Sequence, residues 1–193
     1  MLDYLLDLDT KLFLFLNSLN NPFFDTVMWH ISGTKTWFPL YLLILFLIYR
    51  KVGLKTFVIA LLTLILLVTI SDQTSVHLFK NVFQRLRPCH VSDIKDLVHT
   101  VNNKCGGSYG FISSHAANTF AFATFISLFF RQKAYTLFIF VWAAIVSYSR
   151  IYLGVHFVAD IVCGALWGEF IGILLFKLYT LIISKIQLQK KKN

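Results

Sequence analysis

A chain of 193 residues that is 57% hydrophobic, 17% aromatic and 14% charged, with a mean hydropathy of +0.69, lies far outside soluble usage and reads as a single integral membrane domain over residues 1–193. The net charge of +9 does not point to nucleic acid, because nine of the 18 Lys and Arg residues sit in short polar segments beside apolar runs. Cations placed there serve topology and anionic headgroups.

The segment Met1 to Leu19 places Leu2, Leu5, Leu6, Leu8, Leu12, Phe13, Leu16 and Leu19 near helical spacing, interrupted by Asp3, Asp7, Asp9 and Lys11. That mixture predicts an amphipathic helix lying in the membrane interface. It has neither a basic leader nor a small-residue cleavage site, so no removable signal peptide is expected. Asn20, Asn21 and Pro22 predict a turn. Apolar runs follow at about 37–49, 56–70, 116–130, 134–148 and 157–183. Several fall short of the roughly 20 residues that cross a bilayer, so their helices are expected to extend into the flanking polar residues. The expected fold is all-α, a polytopic membrane helix bundle of about five spans plus the N-terminal interfacial helix. Six spans is the alternative, if Phe23 to Ile31 contributes.

Orientation follows from the loops. Arg50, Lys51 and Lys55 join the first two spans, Arg131 and Lys133 join the third and fourth, and Lys185, Lys190, Lys191 and Lys192 end the chain. The positive-inside rule makes these places, including the C-terminus, cytoplasmic. Counting spans, the long loop 71–114 and the short loop 149–156 then share the opposite, extracytoplasmic face.

Those two loops carry three polar clusters: Lys80 to Pro88 (KNVFQRLRP), Ser113 to His115 (SSH) and Ser149 to Asp160 (SRIYLGVHFVAD). Polar groups beside lipid are costly unless they function. Cations and Ser hydroxyls bind phosphate. His156 followed four residues later by Asp160 places both on one helical face, an arrangement for a carboxylate-oriented nucleophile or base. The same pair in isolation would also satisfy a helix end. Arg85 alone fits a cation snorkelling to lipid phosphate. Lys80, Arg87 and Arg150 together, on the face that disfavours cations, fit an anion site. The reading from the residues is a membrane-embedded phosphatase of lipid phosphates.

The ordered pattern of Lys80, six residues, Arg87 and Pro88, then Ser113, Ser114 and His115, then Ser149, Arg150, five residues, His156, three residues and Asp160 resembles the three-part signature of the type 2 phosphatidic acid phosphatase superfamily. The resemblance covers about residues 71–168. It implies His156 as a nucleophile that becomes a phosphohistidine, Asp160 as the group orienting its ring, and His115 as the general acid and then base. It also implies Lys80, Arg87, Ser113, Ser114 and Arg150 as the phosphate-binding set. Neither metal nor other cofactor is implied. The middle motif departs from the family's usual Pro and Gly, with Ile112 before Ser113 and Ser114 after it. Ile112 removes a rigid turn residue.

His77, His90 and His99 lie in or beside the outer loop with Asp93 and Asp96, without HExxH, paired CxxC or a close carboxylate set. Solvated histidines fit them better than a metal site. Cys89 and Cys105 share that loop and either close a disulfide or remain two thiols. Glu169, an acid within the last apolar run, lies outside the signature and is either a functional intramembrane carboxylate or a partner of Lys177 or of another helix's polar group. Gly164, Gly168 and Gly172 form a small-residue ridge for close helix packing.

A site among apolar helices at the membrane face predicts a phosphate carried on a long chain that stays in lipid. Within the resembling family that means undecaprenyl diphosphate or a lipid A phosphate, with phosphatidylglycerol phosphate and phosphatidic acid as alternatives, in a bacterial inner membrane. A non-catalytic lipid-phosphate binding protein or a transporter is the contrasting class. Transport predicts polar groups near the midplane and an inverted repeat, whereas the polar clusters here collect at one face and the sequence has no internal repeat.

Overall fold

The computed structural model describes residues 2–192, with side chains described for residues 3–189. The side chains of Lys190, Lys191 and Lys192, three of the expected cytoplasmic cations, lie outside that set. The architecture is all-helical: α1 (Leu2–Ser18), α2 (Pro22–Ser32), α3 (Phe38–Thr74), α4 (Asn81–Phe83), α5 (Ser114–Phe130), α6 (Lys133–Tyr152) and α7 (Val158–Lys192). Among the described residues, three stretches are long and apolar enough to cross a membrane: Thr34–Phe83, Lys133–Tyr152 and Val158–Gln189.

The first stretch is two expected runs joined. Its α3 would be about 55 Å long if straight, but Gly53 breaks it at φ 73° and ψ 171°. Only glycine takes that backbone without a Cβ clash. The arms 38–52 and 54–74 turn back on one another, since Tyr41 and Leu45 line the same cavity as Leu61, Leu64 and Val68. Beyond α3 the chain widens into a π-turn, Ser75–Lys80, and stops at Gln84, which takes a left-handed φ of 48°.

α5 is the centre of the bundle, packed on α7, α6 and α3. Its small residues Ala116, Ala117 and Ala121 are fully buried, and they let α7 approach. A Cβ on Gly164 would stand 2.7 Å from the Ser113 carbonyl oxygen, and one on Gly172 would stand 2.7 Å from that of Ala121. Gly168 is tighter still against Ala117. The expected ridge is thus an α5–α7 seam.

Two chain reversals lie together at the end of the bundle remote from Ser114. The Lys51 amine, beside the Gly53 turn, donates to the carbonyl of Phe129 at 3.1 Å and lies over the rings of Phe129 and Phe130. α5, 17 residues long, separates this end from the His115 end by about 25 Å at 1.5 Å per residue.

The N-terminal helix is more than an interfacial strip. Its exposed face carries Leu5, Leu8, Leu12 and Phe15, as an interfacial helix requires. Its opposite face docks on the protein through Asp9, Phe13 and Asn17, spaced four apart. Phe13 is fully buried and meets the Phe157 ring edge-on at 5.2 Å. Asn17 is also buried. Its amide donates to the carbonyls of His99, Ile151 and Tyr152 at 3.0, 3.1 and 2.9 Å, while its Oδ1 accepts from the His99 N–H at 2.7 Å. α1, at 17 residues, and α2, at 11, are not among the three stretches fit to span.

Candidate active site

The three polar clusters come together at one end of the bundle. Lys80 ends the π-turn, Arg87 opens the outer loop, Ser114 and His115 begin α5, Arg150 lies in the last turns of α6, and His156 sits in the link to α7. All six line one cavity of about 820 Å³. Tyr41, Leu45, Leu64, Val68, Phe122 and Trp142 form much of its apolar wall, and Asp72, Asn118 and Thr119 add polar groups to the lining.

The link places His156 by local geometry. After α6 the chain turns through Gly154 at a φ of 72°, then enters α7, so residues 156 and 160 face the same way. His156 Nδ1 lies 3.3 Å from Asp160 Oδ2, and that oxygen also accepts the backbone N–H of Phe157 at 3.0 Å. With Nδ1–H donated to the carboxylate, the lone pair is on Nε2. His156 is 2% exposed and Asp160 is 0% exposed. Burial first, and then the positive charges of Arg87, Arg150 and Lys80, hold the His156 imidazole well below its ordinary pKa. A neutral ring at neutral pH is a competent nucleophile or base. Gly110 allows the close approach: a Cβ there would lie 3.0 Å from Asp160 Oδ2 and 3.5 Å from His156 Nδ1.

The cations are fixed by neutral acceptors. Lys80 Nζ donates to Ser114 Oγ at 2.6 Å, and Ser114 Oγ shares a second hydrogen bond of 2.6 Å with Ser75 Oγ. Arg87 donates from Nη1 to the Cys105 carbonyl at 3.0 Å and from Nε to that of Tyr109 at 3.3 Å. Arg150 Nη1 donates to Ser32 Oγ, while its buried Nε has no partner. Among the described residues no carboxylate lies within 4.0 Å of Lys80, Arg87 or Arg150. Three positive groups that converge on one cavity with no carboxylate in direct contact make a binding site for an anion.

Ser113 stands apart from the other expected phosphate ligands. It is 0% exposed, and its Oγ caps α5 by accepting the Ala116 N–H at 3.4 Å. Its N–H donates to the Asp160 carbonyl at 3.0 Å. It therefore ties α5 to α7 and does not line the cavity. Ser149 is likewise buried, with its hydroxyl spent on the Val146 carbonyl at 2.6 Å. Ile112, where the family usually has Pro, is fully buried.

Arg85, expected at the lipid surface, instead bridges Asp160 Oδ1 at 3.0 Å and Asp9 Oδ2 at 2.7 Å. His99 is not a solvated loop histidine either. Its Nε2 meets Asp25 Oδ1 at 2.8 Å, and that oxygen also accepts the Tyr152 hydroxyl at 2.7 Å. Glu169 forms no ion pair with Lys177 among the described residues. Cys89 and Cys105 are joined in a disulfide with Cα atoms 6.1 Å apart. Together with His90 they form a group with metal-ligand proximity, but the disulfide removes both thiolates that such a site would use. The spacing of Asp9, Phe13 and Asn17 at i, i+4 and i+8 was a sequence signal for α1 docking. Nothing local marked Arg85, Ser75 or Ser32 as part of the site.

Comparison with known proteins gives a consistent picture. A family model described as the PAP2 superfamily matches residues 56–183. The chain is 36% identical over 188 residues to a lipid A 4'-phosphatase of Bacteroides thetaiotaomicron, covering 97% of this chain and 84% of that one. It is 40% identical over 178 residues to a lipid A 4'-phosphatase of Porphyromonas gingivalis, covering 92% and 75% respectively. Among solved structures, Aquifex aeolicus LpxE superposes with a TM-score of 0.64 at 24% identity over 86% of this chain and 93% of that one. A transmembrane PAP2-type phosphatidylglycerolphosphate phosphatase of Bacillus subtilis gives 0.69 at 24% identity over 95% and 88%. At that identity the two structures establish a shared fold.

Proposed function

Because this chain belongs to the PAP2 superfamily and is a membrane lipid phosphatase, we propose the finer reading that it removes a phosphate from lipid A through a phosphohistidine at His156. The observation that carries this is the meeting of His156, His115 and the cations Lys80, Arg87 and Arg150, none with a carboxylate in direct contact among the described residues, in one cavity whose wall is largely apolar.

In the reaction, Nε2 of His156 attacks phosphorus, a P–N bond forms and the bond from phosphorus to the sugar oxygen breaks. His115 gives its proton to that leaving oxygen. Asp160 stabilises the charge on the His156 ring. His115 then takes a proton from water, the water oxygen attacks phosphorus, and the P–N bond breaks to release inorganic phosphate. Lys80, Arg87, Arg150 and Ser114 hold the equatorial oxygens, where phosphoryl transfer concentrates charge. Ser113 contributes by fixing the N-terminus of α5, whose backbone N–H groups face the anion. The acyl chains occupy the apolar chamber and the adjoining lipid. Positive-inside counting supports a site on the extracytoplasmic side of a bacterial inner membrane.

The test is phosphate release by the purified protein, in chelator, from lipid A, undecaprenyl diphosphate, phosphatidylglycerol phosphate and phosphatidic acid. Lipid A should be turned over fastest, with loss of its 4'-phosphate. His156→Ala should be inactive while retaining its elution profile. Retained activity in that variant removes the nucleophile assignment, and faster turnover of another lipid removes lipid A as substrate.

A further inference from the structure

We propose that Arg85, held by Asp9 of the N-terminal helix, is a positioning residue for the reaction: it fixes the Asp160 carboxylate that orients His156. This rests on the reading of His156 as the nucleophile. It makes α1 part of the catalytic apparatus.

The two oxygens of Asp160 have separate partners. Oδ2 faces His156 Nδ1 at 3.3 Å and accepts from the Phe157 N–H at 3.0 Å. Oδ1 is met by Arg85 Nη1 at 3.0 Å. A carboxylate rotates readily about its last torsion, a broad and nearly two-fold profile. Anchoring the second oxygen is what stops Oδ2 from turning away from the imidazole.

Arg85 is itself held. Its Nη2 lies 2.7 Å from Asp9 Oδ2, and Asp9 Oδ1 accepts the Ala159 N–H at 2.9 Å in the first turn of α7. The guanidinium carbon lies 4.1 Å above the centre of the Phe157 ring, which packs on Phe13 of α1. Asp9, Arg85, Asp160 and the start of α7 thus close a ring of contacts between segments 76 and 75 residues apart in sequence.

Low exposure makes the ring matter. The side chains of Asp160, Asp9 and Arg85 are 0%, 10% and 21% exposed, so removing the cation leaves two buried acids facing one another. Two features separate this role from phosphate binding. Arg85 does not line the cavity, whereas Arg87 and Arg150 do. Both of its terminal nitrogens are already spent on carboxylates. A guanidinium can bridge two acids with its fork, and a lysine amine offers only a point charge.

Steady-state kinetics on lipid A for Arg85→Met, Arg85→Lys, Asp9→Asn and the double variant Arg85→Met/Asp9→Asn test the proposal, with thermal unfolding of each and His156→Ala as control. By analogy with the partners that orient metal-binding imidazoles, kcat should fall about 10- to 100-fold in Arg85→Met, with KM unchanged. Arg85→Lys should lie between it and the parent. Asp9→Asn should lower kcat less, and it should relieve part of the Arg85→Met loss by removing the facing acid. If Arg85→Met does not fold, the isosteric Asp9→Asn carries the test alone, through a lower kcat at unchanged KM and unfolding temperature. Unchanged kcat in Arg85→Met or in Asp9→Asn, beside an inactive His156→Ala, overturns the positioning role and leaves the nucleophile reading intact. A loss carried by KM, or one that tracks thermal stability and is not relieved by lysine, overturns it as well. An active His156→Ala removes the nucleophile reading itself.

Discussion

The protonation state of His156 is set by its neighbours more than by its own chemistry. Burial comes first and the cations Arg87, Arg150 and Lys80 next in disfavouring its proton. The unfolded chain takes up a proton at this histidine near pH 6.5, and the folded one does so only at much lower pH. Protonation therefore favours unfolding below about pH 6.5, and the stability linked to this group is complete above that value and lost as pH falls beneath it. The unfolding temperature, followed from neutral into mildly acidic buffer, should drop less steeply in His156→Asn than in the parent. Equal slopes would mean that other groups carry the acid sensitivity.

At the level of elements, the seam between α5 and α7 decides whether the motifs meet. Ser113 and His115 ride on α5 and Asp160 rides on α7, and the N–H of Ser113 donates to the Asp160 carbonyl at 3.0 Å. The seam is close because Gly168 offers no Cβ toward the Ala117 backbone. Gly168→Ala should force the helices apart at a cost of about 1–3 kcal/mol, the usual penalty of overpacking. Chemical or thermal unfolding in detergent checks the stability. Activity should fall too, since Asp160 and Ser113 move with their helices. The outer loop adds a second constraint, because the Cys89–Cys105 disulfide holds the segment whose Cys105 carbonyl receives Arg87 at 3.0 Å.

Over the whole molecule, both chain reversals next to Lys51 and Arg131 lie about 25 Å from the His115 end, at the rise of an α-helix. Arg50, Lys51, Lys55, Arg131 and Lys133 flank the reversals at the first end, while the cavity with its own anion-binding cations and the disulfide-bearing loop occupy the other. The positive-inside rule then predicts opposite exposure of the two ends. In intact spheroplasts a membrane-impermeant maleimide should label Ser92→Cys at once and Lys55→Cys only after lysis. The reverse pattern would turn the site toward the cytoplasm.

Membrane class, helical fold, the positions of the apolar helices and the pairing of His156 with Asp160 were all legible in the sequence, although three long apolar stretches stand where five spans were expected. Each of these readings rests on composition or on spacing within one helix, and helical periodicity converts an i, i+4 spacing directly into proximity. The sequence also carried the ordered signature of Lys80, Arg87, Ser113, Ser114, His115 and Arg150. Tertiary structure alone decided what lies between those motifs. Arg85 looked like a lipid-facing cation until packing placed it between Asp9 and Asp160, and Asp9 looked like a polar interruption of an interfacial helix. Ser113 matched the phosphate-binding set by motif, but in the folded chain it caps α5 away from the cavity wall. The disulfide, open in the sequence, formed because the loop brings residues 16 apart to a Cα separation of 6.1 Å. Such partners are joined by long-range packing, and the period of a helix carries no record of which distant segment will dock against its face.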